Sequence, residues 1–320
     1  MATIACLSPY SEDEVRELAG TADIEVLLVP DPPAPNAVRD VVPDAEVVIG
    51  DVRQRHRLER DTLALMKRCQ LIQQPSAGFD AIDARAAAEF GIPLANGGGH
   101  NRESVADWVI MGMLSLLRHG PRRDRDMHGG EWIARRLEGR ELGAATVGII
   151  GMGKIGSAVA TRLRGFGSRV LYADIVPRDG GPDARQVAIA ELLERSDIVT
   201  VHVPLDDTTR RLIGAAELTW MRPGALLVNA SRGPVVDEAA LVTALESGHL
   251  GGAALDVFET EPLSPDSPLR FRDDVFLTPH IAGPTREAAA RLRELMAVNI
   301  RRALAREEPL HVVNGVTWHP

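Results

Sequence analysis

The feature that most limits how this chain can fold is an alternation of short, continuous apolar runs with amphipathic stretches. The runs TIACLS, IEVLLVP, AEVVIG, QLIQQPS, TVGIIG, RVLYAD, DIVTVHVP, ALLVNAS, GAALDVF and VFLTPH are rich in β-branched residues. Between them lie SEDEVRELAG, RDTLALMKR, DARAAAEFG, KIGSAVATRLRGFG, VAIAELLERS and DEAALVTALESGH. A strand that is apolar at successive positions is covered on both faces, and intervening helices supply that cover in a parallel arrangement. The expected class is therefore α/β, as two Rossmann-like, doubly wound parallel-sheet domains with an interdomain cleft. A length of 320 residues also exceeds one ordinary core. The loosest stretch, NGGGHN at 96–101, precedes the long apolar helix that leads into TVGIIGMGKIG. A nucleotide-binding domain is expected over 98–288. The last helical stretch, TREAAARLRELMAVNIRRALAREEP, is expected to cross back, giving a first domain of 1–97 plus 289–320.

Composition closes several alternatives. The net charge of −9 gives no support to a nucleic-acid partner. The most apolar segment, SVADWVIMGMLSLLRHG, carries Asp107 and is too short to span a bilayer, so it reads as a buried helix and no membrane partner is expected. The stretch MATIACLSPYSEDE lacks the basic and apolar regions of a signal peptide. Cys6 and Cys69 have no metal-type spacing, and both are expected to be reduced core thiols of a cytoplasmic protein with no metal site.

TVGIIGMGKIGSAVATRLRGFG contains Gly151-x-Gly153-x-x-Gly156 between an apolar strand and a helix. In that context the first glycine permits the tight turn, the second lets backbone approach a pyrophosphate at the helix N-terminus, and the third lets helix and strand pack closely. RVLYAD then places Asp174 about 20 residues on, where a carboxylate accepts bonds from ribose hydroxyls and repels a 2′-phosphate. NAD is the expected cofactor. Arg178 reads as a solvated loop charge.

Three more strand ends carry chemistry. ALLVNASRG runs into Arg232, GGAALDVFETEP into Asp256, Glu259 and Glu261, and VFLTPH into His280. Each alone reads as structural: a histidine where a strand opens into a loop is usually hydrogen-bonded in place. Ligands of parallel sheets, however, bind beyond the carboxyl ends of the strands, so their joint occurrence after successive strands points to one crevice facing the glycine loop.

At these residues the chain resembles the D-isomer-specific 2-hydroxyacid dehydrogenases, an NAD-dependent family that includes D-lactate, D-glycerate and D-3-phosphoglycerate dehydrogenases and glyoxylate/hydroxypyruvate reductases. PSAGFDAID, SVADW, GIIGMGKIG, VHVPLDDTTRRLI, MRPGALLVNASRGPVVDEAAL, GHLGGAALDVFETEPL and LTPHIAGPTREA carry the resemblance over nearly the whole chain. It implies that Arg232, Glu261 and His280 are the catalytic three, with the Glu immediately before Pro262 taking the role rather than Glu259. It implies His280 as acid/base, Glu261 as its carboxylate partner and Arg232 as the fork for the substrate carboxylate. The family's cofactor pattern adds Lys154 and Ile155 at the pyrophosphate, and Val203 and Pro204 near the adenosine. Thr209, Ala230 and Asp256 join at the nicotinamide side and Gly283 beside the histidine, while Arg232 and His280 are shared with the catalytic set. The backbone of Ser76, Ala77 and Gly78 is implied to bind the substrate carboxylate, although the family commonly has glycine where Ser76 stands. Asn101 matches a substrate-binding Asn of formate dehydrogenases. Arg53-Gln54-Arg55, with one residue inserted, matches an Arg-Ser-Arg of some phosphoglycerate dehydrogenases whose first Arg contacts the substrate phosphate; the alternative is a run of solvated arginines.

Formate dehydrogenases carry Gln where this chain has Glu261, and phosphite dehydrogenases carry Lys at Ala77, so both are disfavoured. An NAD-sensing corepressor on the same fold is a reading from a different class, disfavoured by the compact length. The family is typically dimeric, and HGPRRDRDMHGGEWIARRLEGRELG matches its arm region, where Trp132 and Arg135 are expected to pack on the partner subunit of a homodimer or stand as solvated helix.

Overall fold

The computed structural model describes residues 1–30, 36–132, 139–181 and 183–318. The chain divides into two units, Met1–Asn101 with Thr285–Pro320, and Arg102–Pro284. The sequence-based boundaries, 97/98 and 288/289, stand beside these at 101/102 and 284/285.

Unit 1 is built on five strands: β1 (Ala2–Cys6), β2 (Ile24–Leu28), β3 (Val47–Ile49), β4 (Leu71–Gln73) and β5 (Leu94–Ala95). They pair in the order β2-β1-β3-β4-β5, every pair parallel. β3 and β4 are buried throughout, which explains their continuous apolar runs. The helix Glu12–Ala19 starts at a capping box, with Ser11 and Glu14 each satisfying the other's backbone N–H, and ends at Gly20 in the left-handed conformation. The helix Arg286–Leu304 belongs to this unit. Its Met296, Ile300 and Ala303 pack with Ile4, Leu18 and Ile49 on one face of the sheet.

Unit 2 holds seven strands: β6 (Thr146–Ile150), β7 (Arg169–Ala173), β8 (Ala184–Gln186), β9 (Ile198–Val201), β10 (Ala225–Asn229), β11 (Leu250–Leu255) and β12 (Val275–Leu277). All pairs are parallel in the order β12-β11-β10-β9-β6-β7-β8, so strand order reverses between β6 and β9, the switch point of a doubly wound sheet. The helix Arg102–Leu117 is apolar around most of its circumference, and its Trp108, Val109 and Met113 join the core with Val147, Val228 and Ala254. It is the buried helix expected from SVADWVIMGMLSLLRHG. No helix among the described residues is long and apolar enough to cross a membrane.

Two strands and two helices escape the sequence pattern. β8 has no apolar face, since Arg185 and Gln186 are exposed, and it exists by pairing with β7. β5 is two residues long after Pro93 and pairs with β4. The helices Ala37–Val41 and Ala215–Trp220 are too short to show a periodicity.

Candidate active site

The candidate residues of unit 2 gather at one edge of its sheet because parallel strands all end on the same side. β6 ends before Gly151, β7 before Asp174, β9 before His202-Val203-Pro204, β10 before Ala230-Ser231-Arg232, β11 before Asp256 and β12 before Thr278-Pro279-His280. Register reinforces this: Asn229 is level with Leu255, and Leu255 with Leu277.

The glycine loop has the backbone geometry that its spacing predicts. Gly151 has φ +93, and a Cβ there would meet the His202 carbonyl oxygen at 2.7 Å. A Cβ on Gly156 would lie 2.1 Å from the Gly151 carbonyl oxygen, so only glycine permits this helix–strand approach. At Gly153 a Cβ would project into open space. The helix Lys154–Phe166 begins there, and its N-cap Gly153 supplies no side-chain cap. Lys154 is exposed and Ile155 half-buried in that first turn. Asp174 Oδ2 accepts the Met152 N–H at 2.8 Å and Oδ1 that of Val176 at 2.9 Å, which binds the end of β7 to the glycine loop. Arg178 comes within 3.9 Å of the same carboxylate.

The loop after β9 is held by Thr209, whose hydroxyl donates to the Pro204 carbonyl oxygen at 2.7 Å and accepts the Asp206 N–H at 2.8 Å. His202, at its start, is pushed down to about 3 by burial and is therefore a neutral ring. Its Nδ1 has no partner among the described residues.

His280 Nδ1 stands 2.8 Å from Glu261 Oε2. The hydrogen bond that the ring donates to Glu261, and then the charge of that carboxylate, hold His280 above its ordinary pKa, against burial and the positive charge of Arg232. Burial pushes the Glu261 carboxyl up, but the His280 bond and charge, the Phe258 N–H and Arg232 together hold it below the usual range. Each group therefore favours the other's charged form, and Arg232 acts electrostatically on both.

His280 sits at φ +57, a region that residues other than glycine rarely occupy. Asp256 imposes it. This carboxylate is only 1% exposed; its oxygens accept the Ile281 and Ala282 N–H groups, each at 2.8 Å, and the Thr278 hydroxyl. Its own carbonyl accepts the His280 N–H at 2.8 Å. Asn229 plays the matching part after β10: Oδ1 accepts the Ser231 N–H and Nδ2 donates to the Arg232 carbonyl oxygen. Sequence reading singled out neither Asn229 nor Thr278. The signal available was a polar residue at the last position of an apolar strand, which a buried carboxamide occupies only when its bonds are satisfied. Ala230 and Gly283 are half-buried within these two loops.

Unit 1 carries two loops with candidate residues of its own. After β3, the buried Asp51 accepts the N–H groups of Arg53 (2.9 Å), Arg55 (2.8 Å) and His56 (3.1 Å), winding 51–57 tightly and leaving both arginines exposed. After β4, the Ser76 hydroxyl accepts from Gln74 Nε2 at 2.8 Å and donates to the Gly78 carbonyl oxygen at 2.6 Å, so serine in place of the usual glycine stiffens the loop. The Ser76 and Ala77 carbonyl oxygens accept bonds from the Gly97 N–H and Asn96 Nδ2. The N–H groups of Ser76, Ala77 and Gly78 donate to no group among the described residues. The Asn101 Oδ1 is buried and has no partner among the described residues.

The profile of the family described as "D-isomer specific 2-hydroxyacid dehydrogenase, NAD binding domain" matches residues 110–282. The chain belongs to the D-isomer-specific 2-hydroxyacid dehydrogenase family. A glyoxylate reductase of Korarchaeum cryptofilum is 35% identical over 290 residues, 88% of this chain and 87% of that one. An (S)-sulfolactate dehydrogenase of Chromohalobacter salexigens is 40% identical over 257 residues, 79% of this chain and 83% of that one. The crystal structure of a glyoxylate reductase from Paecilomyes thermophila superposes with a TM-score of 0.87 at 29% identity, covering 98% of each chain. As a family member the protein is an NAD-dependent dehydrogenase, and its α/β class with two parallel sheets is that of its relatives.

Proposed function

We propose that this dehydrogenase interconverts a D-2-hydroxy acid and its 2-oxo acid, with His280 as acid/base, Glu261 as the partner of the ring and Arg232 as the substrate anchor. The observation that carries the reading is the 2.8 Å bond between His280 Nδ1 and Glu261 Oε2 beside the charge of Arg232. With Nδ1 engaged, Nε2 is the nitrogen that donates a proton to the carbonyl oxygen in reduction and takes the hydroxyl proton in oxidation. When bound, NADH supplies the hydride to the adjacent carbon. The Arg232 guanidinium binds the substrate carboxylate and polarises the carbonyl. In unit 1, the N–H groups of 76–78, which donate to no group among the described residues, and the Asn101 Oδ1 are proposed as substrate-binding groups.

Gly151, Gly153, Gly156, Lys154 and Ile155 would hold the pyrophosphate of NAD, and Asp174 its ribose. Val203 and Pro204 would lie at the adenosine, with Thr209, Ala230, Asp256 and Gly283 towards the nicotinamide. Asp256, with its oxygens already engaged, acts by shaping the His280 loop. Asp174 should give NADH a clear advantage over NADPH. Asp174→Ala should shrink that advantage by roughly tenfold or more, the worth of a charged hydrogen bond plus the lost repulsion. Steady-state kcat/KM with both cofactors is the measurement, and equal use of both by the unaltered protein removes Asp174 from this role.

The substrate class follows from Arg53, exposed on a loop wound by the Asp51 carboxylate. A second anionic group on the substrate (phosphate, phosphonate, sulfonate or distal carboxylate) is the chemistry it recognises. The relative named (S)-sulfolactate dehydrogenase is in keeping with this. A panel of 2-oxo acids followed by NADH absorbance tests the reading. Dianionic acids should exceed pyruvate and glyoxylate by roughly ten- to a hundredfold in kcat/KM, and Arg53→Ala should abolish that margin alone. Best turnover on glyoxylate, or uniform slowing by Arg53→Ala, would leave 51–57 a solvated loop.

The protein is further proposed to be a cytoplasmic homodimer. Burial pushes the free Cys6 and Cys69 thiols up to about 11 and about 12, which keeps both protonated and unreactive. Trp132 is 79% exposed and available to a partner subunit. Arg135 lies outside the described residues.

A further inference from the structure

Unit 2 contains a pocket of about 540 Å³ walled by Phe258, Leu263, Leu277, Arg270 and the Glu261–His280 pair. At about 30 Å³ per liquid water, that is room for roughly eighteen waters, far more than the smallest 2-oxo acids fill. It falls within the size range of small-molecule sites, as an apolar surface with a few polar groups.

Arg270 is the group that the proposed mechanism leaves unused. Its Nε donates to the Ser264 carbonyl oxygen at 2.8 Å and its Nη2 to that of Leu263 at 2.7 Å. Among the described residues it forms no ion pair with a carboxylate. Two backbone carbonyls therefore orient the planar fork without neutralising it, and Nη1 remains for a further acceptor. Arg270 is exposed, and a cation without a carboxylate partner at the edge of an apolar wall is complementary to an anion that brings its own apolar body. The carboxylate meets Arg270, and the body covers Phe258, Leu263 and Leu277.

The geometry points to a second small-molecule site beside the acid/base pair that takes an amphipathic aliphatic monocarboxylate. Arg232, which on the reading above holds the reacting acid, is not among the residues that line this pocket. Because Glu261 and His280 form one wall, a bound ligand excludes water from that side of the pair. The pocket is thus an effector site placed against the proton-transfer machinery.

Calorimetry with hexanoate and its uncharged isostere hexanamide, on the NAD-loaded full chain, tests this. Hexanoate should bind saturably and about tenfold or more tighter than hexanamide. Arg270→Gln should lose that margin, while Arg232→Gln should keep it, each variant being checked for an unchanged thermal transition. Since Arg270 also holds the 263–264 backbone, Arg270→Lys serves as a second variant: it keeps the charge and should retain part of the margin. Equal affinity for acid and amide in the unaltered protein overturns the proposal. So does a loss in Arg232→Gln as large as that in Arg270→Gln, which would mean that hexanoate occupies the catalytic subsite. The readout is binding rather than turnover. Hexanoate binding of this kind in a protein that reduces no 2-oxo acid would refute the proposed reaction and leave this site standing.

Discussion

Replacing His280 with alanine should lower kcat for 2-oxo acid reduction by about 10²–10⁴-fold while NADH still binds, because the carbonyl oxygen then develops negative charge with no positioned proton donor. The companion change, Glu261→Gln, should act through pH. In the unaltered protein the Glu261 hydrogen bond and charge raise the pKa of the ring, so the protonated form that reduction needs persists to higher pH. Gln keeps the size of the side chain but removes the charge, so the ring pKa falls. The descending limb of kcat/KM for reduction should then move to lower pH, and the ascending limb for oxidation should move the same way. Near-normal turnover by His280→Ala ends the assignment of the acid; an unmoved profile in Glu261→Gln ends that of its partner.

Arg232→Ala should reduce kcat/KM on the order of a hundredfold or more, since charged hydrogen bonds to a carboxylate are each worth about 1.5–3 kcal/mol and a fork makes two. Arg232→Lys should recover part of the loss, restoring charge but not the paired geometry. The structure adds a sign test. Arg232 lowers the His280 pKa by charge repulsion, so Arg232→Ala should move the reduction profile to higher pH, opposite to Glu261→Gln. Shifts in the same direction for both variants would mean that Arg232 and Glu261 do not act on the ring as their charges require. An Arg232→Ala enzyme with unchanged kcat and KM would remove Arg232 from substrate binding.

Much of the framework was legible before any coordinates. Continuous apolar runs such as AEVVIG and ALLVNAS have one stable use, as strands covered on both faces, and β3 and β10 are buried throughout. At Gly151 and Gly156 of the Gly151-x-Gly153-x-x-Gly156 spacing, the structure contains backbone approaches that a side chain would block. The placement of Arg232, Asp256 and His280 immediately after apolar runs foretold a common edge, because parallel strands must end on one side.

Other features depend on partners distant in sequence. β8 carries no apolar signal and is a strand only because β7 offers it a backbone edge. Asp256 reads as a ligand residue by position; the structure adds that its carboxylate accepts the N–H groups of Ile281 and Ala282 beside the left-handed turn at His280. Ser76 could add a contact or reshape its loop; its hydroxyl is spent on Gln74 and Gly78. The chain by itself determined the layered parallel architecture and the glycine-loop spacing, because periodicity and spacing are local properties, whereas the roles of His280 and Glu261 were implied only by the family resemblance. Tertiary structure alone decided which polar groups keep unused hydrogen-bonding capacity, since that depends on every neighbour that folding brings within about 3 Å.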